Sequence, residues 1–579
     1  MDLHDDGTPP LAGMNSAELL IAYLEQLGID TIFASHEPLL DALYAAAANS
    51  AARGGLRLVG VADAHCAVLM ACGYARESGK PGVCCTALGN DVSMLAAGLR
   101  HAWLNHIPLL LISTAHPLCE EKPEQGVIAL EESLSEFEDC TVFNSLVTQA
   151  AAVEFQFMQA MHRATRIPAR PAHLCIPADL FSLPACDSIP KHDLQEFLHT
   201  ESLTDNDAIE RLMQMAEHSR RAVFVIGGDC GEAMAAIMQF AALLNRTMEM
   251  GTRVIATPEG KGLVNARHPL FRGVLGLGGH ALVQSELMNS AVEMIILVGV
   301  KPCELECEDL CHYVLNDRLI HIDEDDECFD YSPMAKMHLH GRIVANFHHL
   351  LDWVHIHHPA AEPDYAVHFS AGDAAENLDV ELDTHLTTDA GHVMRELGLV
   401  FPPSARFLVE GGNISLWATH YLQSHDRRMG GRRVGGGGVG APGVPSRRKQ
   451  RDSWMRLAMD QTEGWAIAGA LGTAMGRQSD PVVCLVGSHS MLANIPLLEL
   501  AVQEKLSVAF FVFHDEVSVL NSEFPNLVAE LGAQAYNIAA QGDLETLDID
   551  TICMTVGPSL VDVRLGAEQM PYYERYHCA

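Results

Sequence analysis

Two histidines stand where an α/β sheet would put them to use. His489 follows the apolar run Pro481–Val486, and His514 follows Ser507–Phe513. Read as neighbouring parallel strands, these runs carry both imidazoles to carboxyl ends, where open α/β sheets bind ligands. Imidazole titrates near neutrality and ligates metals, so proton transfer and metal binding are both open to it. The chain holds 30 histidines against 37 lysines and arginines, so the position of each matters more than the count. Taken singly, a histidine also fits a polar surface or a hydrogen-bonded core. Cys303, Cys307 and Cys311, in CELECEDLC, are spaced to share one helical face. That spacing suits soft-metal binding, or more simply small residues packing a helix onto a sheet. Arg428–Asp452 is Gly-rich and basic with no apolar periodicity. It reads as a flexible inserted loop, or as a lid that recruits an anionic ligand.

The elements that must position these residues alternate between strand and helix. Ser16–Leu27 has helical apolar spacing with Asn15 or Ser16 as N-cap. Strand patterns follow at Thr31–Ala34, Leu56–Val61, Gly82–Ala87, Pro108–Ser113 and Ala172–Ile176, with helices at Ala64–Arg76 and Ser93–Trp103 between them. Further strands are expected at Ala222–Ile226, Glu293–Val298, Leu319–Ile322 and Arg406–Val409. Continuous apolar runs suit parallel strands buried on both faces, and their alternation with helices implies layered α/β domains. Polar stretches near Asp187–Asn206 and Pro359–Asn377 read as linkers. They divide the 579 residues into 1–185, 205–350 and 378–579, in line with roughly 150 residues per domain.

Composition removes several function classes. Lys+Arg is 37 and Asp+Glu 75, a formal net charge of −38, which disfavours nucleic acid and anionic membrane surfaces as partners. Hydrophobic content of 48% with 19% charged residues is that of a globular chain. Ile107–Ile112 and Val508–Phe513, the longest apolar runs, are far too short to span a bilayer. MDLHDDGTPP has neither a basic nor an apolar signal region, and the 16 cysteines read as reduced thiols. The expectation is a cytoplasmic protein.

The order of the domains and several motifs resemble the thiamine diphosphate (ThDP)-dependent acetolactate synthase and pyruvate decarboxylase family. ACGYARESGKPGVCC (71–85), GLRHAWLNHIPLLLISTAHP (98–117) and PAHLCIPADL (171–180) resemble its pyrimidine-binding (PYR) domain. PEGKGLVNARHPLFRGVLGLGG (258–279) and LIHIDEDD (319–326) resemble its middle domain, and GALGTAMGRQSDPVVCLVG (469–487) its pyrophosphate (PP) domain. The resemblance covers nearly the whole chain and implies three doubly wound parallel-sheet α/β domains. It also implies ThDP and Mg²⁺ bound between subunits, hence a homodimer or homotetramer, with a small-molecule carbonyl substrate.

The cleft positions depart from the family pattern. The glutamate that activates the aminopyrimidine falls on Ala64, between Asp63 and His65; glyoxylate carboligase, a family member, also lacks it. The Mg²⁺-binding G-D-G falls on Gly487-Ser488-His489, and the later Asn on Asp515, in His514-Asp515-Glu516. A Mg²⁺ site would then use Asp515, the Ser488 hydroxyl and the Val517 carbonyl. Cofactor-binding candidates are Gly487, Ser488, Asp515 and Asn413. The bulky residue under the cofactor falls on Glu463, and the early F-G-x-P-G-G loop brings His36 and Glu37. The catalytic candidates are therefore His36, Glu37, His65, Glu463, His489 and His514. Together with Asp91 and Asp515 they could form a transition-metal site or an acid/base set for another reaction. Gly227-Gly228 and Gly276–Gly279 could contact an FAD, as in acetolactate synthases, although the family's G-x-R is Gly299-Val300-Lys301 here.

Three functions follow as expectations. The first is an atypical ThDP-dependent lyase or carboligase acting on a 2-oxo acid or related carbonyl compound, and not an ordinary acetolactate synthase. The second is a ThDP-independent enzyme using the His/carboxylate pocket, with or without a metal. The third is a non-catalytic paralogue.

Overall fold

A computed structural model describes residues 14–89, 92–117, 134–184, 204–276, 278–301, 313–359, 389–423, 453–457, 462–476, 481–514, 524–538, 543–544 and 547–564. Its contacts divide the chain into two units. Met1–Arg76 with Lys80–Thr200 form the first, and Glu77–Gly79 with Glu201–Ala579 form the second.

The first unit is built on β1 (Thr31–Ser35), β2 (Arg57–Val61), β3 (Gly82–Ala87), β4 (Leu109–Thr114), β5 (Asn144–Leu146) and β6 (Pro171–Cys175). Their order is β2-β1-β3-β4-β6-β5, all parallel. Every residue of β1, β4 and β6 is buried, which is why these stretches read as unbroken apolar runs. Cys84 and Cys85 lie in β3, both buried, as free thiols. The helix Ser16–Gln26 starts on a capping box: Asn15 accepts from the Glu18 N–H, and the Glu18 side chain accepts from the Asn15 N–H. Its apolar face joins the core of Leu20, Leu24, Ile32, Leu110 and Phe157.

The second unit holds two six-stranded sheets. One is formed by β7 (Ala222–Ile226), β8 (Arg253–Ala256), β9 (Phe271–Val274), β10 (Met294–Val298), β11 (Leu319–Asp323) and β12 (Met337–His340), ordered β12-β11-β10-β7-β8-β9. The other is formed by β13 (Arg406–Val409), β14 (Met455–Leu457), β15 (Val482–Gly487), β16 (Val508–Phe513), β17 (Gln534–Ile538) and β18 (Ser559–Val563), ordered β14-β13-β15-β16-β18-β17. One buried apolar cluster runs through both, from Ala208 to Val563. That shared core is the physical reason two sequence segments that read as separate domains pack as one unit. In each sheet the chain starts in the interior and reverses direction of travel, leaving a crevice at the carboxyl ends: β7/β10 in the middle sheet, β13/β15 in the third.

Eleven strands lie within a residue or two of their expected places, from Thr31–Ser35 to Val508–Phe513. β5, β8, β9, β12, β14, β17 and β18 were not expected, and all of them but β8 and β18 are edge strands. Edge strands are short and half solvated, so their sequences lack the continuous apolar run. Among the described residues no helix is long and apolar enough to cross a membrane.

Candidate functional site

The β13/β15 crevice gathers the strongest chemistry. β13 ends at Val409, and the next residue, Glu410, leads through Gly411-Gly412 into the helix Asn413–Tyr421. Gly412 supports the turn with φ +76°, a left-handed value that suits glycine. β15 ends at Gly487 and passes straight into the short helix Ser488–Ala493. The Glu410 carboxylate links three segments. It accepts from the Gly464 N–H at 3.0 Å and the Ala466 N–H at 3.1 Å, at the start of the helix Trp465–Gly476. It also accepts from the Ser490 hydroxyl at 3.4 Å. Burial pushes its carboxyl up to about 7, against the lowering effect of those donors, and the neighbouring Glu463 adds to the rise. A Cβ at Gly487 would meet nothing nearer than Ile414 Cδ1 at 3.7 Å, so this turn keeps one face open. Ser488 is buried, whereas His489, Glu463 and Asn413 are exposed.

One strand further along, His514 closes β16. β16 pairs in register with β15 (Gly487↔Phe513) and with β18 (Phe513↔Val563), so His514 follows directly on the residue paired with Gly487. Its Nε2 bonds to Asp562, a fully buried carboxylate on β18. The other oxygen of Asp562 accepts from Arg564 Nε at 2.7 Å. Burial alone would raise the Asp562 carboxyl; the hydrogen bonds and charges of His514 and Arg564 outweigh it and hold the group below the usual carboxylate range. A neutral His514 that donates from Nε2 carries its lone pair on Nδ1.

The first unit places His36, Glu37 and His65 by themselves. His36 is exposed and its ring stacks on Tyr44, centroids 6.2 Å apart. The Glu37 N–H donates to the Tyr44 hydroxyl at 3.0 Å, and that hydroxyl donates to the Ser35 carbonyl. His65 Nδ1 bonds the Met94 carbonyl at 2.8 Å. Asp63 accepts from the Cys66 N–H at 2.8 Å, capping the helix Ala64–Ser78. Ala64 is buried, and neither neighbour substitutes for the missing acid: Asp63 is spent on the cap and His65 on a main-chain carbonyl.

Asp515, Val517, Asp91, the three cysteines Cys303, Cys307 and Cys311, and the Arg428–Asp452 stretch lie outside the described residues. Among the described residues no group of three or more His, Cys, Asp and Glu side chains is arranged to hold a metal ion. Of the expected catalytic residues, His36, Glu37 and His65 belong to the first unit and Glu463, His489 and His514 to the second, and His65 and His514 each already bond a protein group. Sequence reasoning missed Glu410, Ser490, Asp562 and Arg564. Two signals were available: an acid immediately after a buried strand (Glu410) and an acid interrupting one (Asp562 in SLVDV).

Known proteins resolve the family. Residues 14–137 match the thiamine pyrophosphate enzyme N-terminal TPP-binding domain, 209–350 the central domain and 438–523 the C-terminal TPP-binding domain. The chain belongs to the thiamine diphosphate-dependent enzymes, with acetolactate synthase-like relatives. The acetolactate synthase isozyme 2 large subunit of Escherichia coli is 23% identical over 588 residues, covering 95% of this chain and 96% of that one. A protein assigned as a 2-ketoarginine decarboxylase, AruI, of Pseudomonas aeruginosa is 26% identical over 339 residues, 56% of each chain. An X-ray structure assigned to a thiamin diphosphate-dependent enzyme of Mycobacterium smegmatis superposes with a TM-score of 0.73 at 17% identity, covering 96% of this chain and all of that one, and shows the shared fold.

The donor set fits ThDP in one half only. The open face at Gly487 and the buried Ser488 hydroxyl suit a diphosphate with a hard cation. The aminopyrimidine half offers Ala64 where an acid would act. Membership of this family makes the chain, in general terms, a ThDP-dependent carboligase or lyase.

Proposed function

We propose that this enzyme makes or breaks a carbon–carbon bond beside the carbonyl of a 2-oxo acid or a related small carbonyl compound, and that it is not an ordinary acetolactate synthase. The observation that carries the reading is the Gly487-Ser488 turn at the β13/β15 crevice, open on one face and anchored underneath by Glu410 through Ser490. Bound ThDP supplies a nucleophilic thiazolium carbon and an electron sink for the carbonyl carbon. The chain's residues do the rest. Ser488, with Asp515 and the Val517 carbonyl by alignment, would hold Mg²⁺ and the diphosphate, and Asn413 stands exposed at the opposite lip. Glu410 fixes the turn against the helix Trp465–Gly476, and His514, oriented by Asp562, is the group proposed to take up the proton. The departure from acetolactate synthase rests on Ala64, Ser488 and Glu463, which replace residues the family uses on ThDP. A cytoplasmic homodimer or homotetramer is the proposed state, because the family builds each site from two subunits.

Ala64 also gives weight to a second reading, a chain that has given up ThDP chemistry or acts as a non-catalytic paralogue. Titration with ThDP and Mg²⁺ by calorimetry separates them, followed by assay with pyruvate and other 2-oxo acids. Saturable, Mg²⁺-dependent binding with carbon dioxide release is expected. No ThDP heat at high ligand concentration refutes the first reading, and binding that survives Asp515→Ala refutes the ligand assignment.

A further inference from the structure

We infer that the middle-sheet crevice is sealed by the chain's own side chains and accepts neither a flavin nor any other nucleotide diphosphate. This crevice lies between β7 and β10, and a dinucleotide would set its pyrophosphate on the turn after β7. That turn is already spent. The Gly227 N–H donates to the Val298 carbonyl at 2.9 Å, and the Asp229 N–H to the Gly299 carbonyl at 3.3 Å. A Cβ at Gly227 would stand 1.9 Å from the Gly299 carbonyl oxygen, so the glycine serves backbone-to-backbone contact and not approach to a ligand. On the other side of the turn, a Cβ at Gly228 would meet the Glu259 carboxylate at 2.6 Å.

The cation that would meet a phosphate is committed as well. Lys301 Nζ lies 3.1 Å from Glu259 Oε2 and 3.7 Å from Asp229 Oδ1, with both lysine and glutamate side chains buried. Arg342 pairs with Glu232 at 2.6 Å. Beyond them stand Asp323 and Glu324. Burial above all, with lesser help from the charges of Asp229 and Asp323, pushes the Glu324 carboxyl up to about 7 against the Ile343 N–H and Arg342. Five carboxylates face two cations here before any phosphate arrives. The second glycine run is equally occupied. Cβ atoms at Gly278 and Gly279 would meet the Leu416 and Val274 carbonyl oxygens at 2.8 and 2.4 Å, and the Gly278 and Gly279 carbonyls accept from His420 Nδ1. Both Gly-rich segments therefore close protein against protein, and the inference holds independently of the thiamine reading.

The test uses the full chain purified without added flavin, its cooperative unfolding transition checked first. Its visible spectrum is recorded, its acid extract is assayed for FAD and ADP, and FAD and ADP are each titrated into it by calorimetry. ThDP with Mg²⁺ is titrated into the same sample, so the outcome for that reading is scored separately. Colourless protein and no heat with either nucleotide are expected. Stoichiometric flavin, or saturable FAD or ADP binding, overturns the inference. Lys301→Met removes the cation beside the buried Glu259 carboxylate and the partly buried Asp229 and is expected to lower Tm by several degrees with nucleotide binding still absent. An unchanged Tm overturns the seal.

Discussion

Replacing Glu410 with glutamine tests the part of the site that sequence did not reveal. The carboxyl is 9% exposed and its pKa rises from 4.5 to about 7. In the unfolded chain the group loses its proton near 4.5; in the folded chain it keeps it to about 7. Between those values the native state binds more protons, so stability is greatest at low pH and declines as pH rises through the window. A rise of between two and three units at about 1.4 kcal/mol per unit is about 3 kcal/mol, complete above about pH 8. Glutamine cannot ionise, so Glu410→Gln removes this slope. It also trades one acceptor oxygen for an NH₂ group that faces an N–H donor, a loss of about 1–2 kcal/mol that does not vary with pH. The assay is differential scanning calorimetry of both proteins from about pH 5 to about pH 8. At about 2 °C per kcal/mol for a large unit, the Tm difference between variant and wild type should move by about 6 °C in the variant's favour. Parallel Tm curves would refute the argument, because they would mean that the three donors keep Glu410 ionised throughout.

Asp562→Asn removes the charge that pairs with Arg564 and orders His514; a stability loss of about 1–3 kcal/mol is expected by denaturant titration. If His514 is a positioned base, 2-oxo acid turnover falls and its pH profile shifts with ThDP affinity retained, whereas turnover that tracks only the folded fraction makes the role structural. In the first unit, Ser113 Oγ, His173 and Asn144 form a relay, 2.6 Å from Oγ to Nε2 and 2.8 Å from Nδ1 to Oδ1. Ser113 and His173 are wholly buried, and burial holds His173 down to about 3, so it is a neutral core residue and no nucleophile's partner. His173→Leu leaves the Ser113 and Asn144 groups it bonds unsatisfied and should cost about 2–4 kcal/mol above about pH 7.5; the cost should shrink below about pH 6.5, where the unfolded histidine takes up a proton that the buried one refuses and the leucine variant lacks that penalty, and a neutral effect at about pH 8 would show that the strands re-pair without it. Ala64→Glu returns the acid to the aminopyrimidine half and should speed deuterium exchange at the thiazolium carbon of bound ThDP by roughly 100-fold. Unchanged exchange would refute the alignment at Ala64.

The sheets were legible because their inner strands are buried on both faces, and burial on both faces writes a continuous apolar run such as VAFFVF in β16. β18 shows where that signal breaks down. Ser-Leu-Val-Asp-Val has its apolar run broken by an acid, yet β18 lies between β16 and β17 and Asp562 is buried. A buried carboxylate needs partners, and one of them, His514, is 48 residues away in sequence. Local pattern has no access to such a pairing. Glu410 escaped for the same reason, since its donors Gly464 and Ser490 come from segments 54 and 80 residues distant. The titratable groups at the aligned cleft positions say nothing in sequence of the partners they find: His65 bonds the Met94 carbonyl and His514 the Asp562 carboxylate. What remains is uneven between the two cofactor halves. The diphosphate side keeps an open turn and a buried hydroxyl, while the aminopyrimidine side keeps a helix cap and an alanine. An enzyme built this way should hold its cofactor by the diphosphate and activate it weakly, so binding and turnover are expected to separate in this chain more than in its acetolactate synthase relatives.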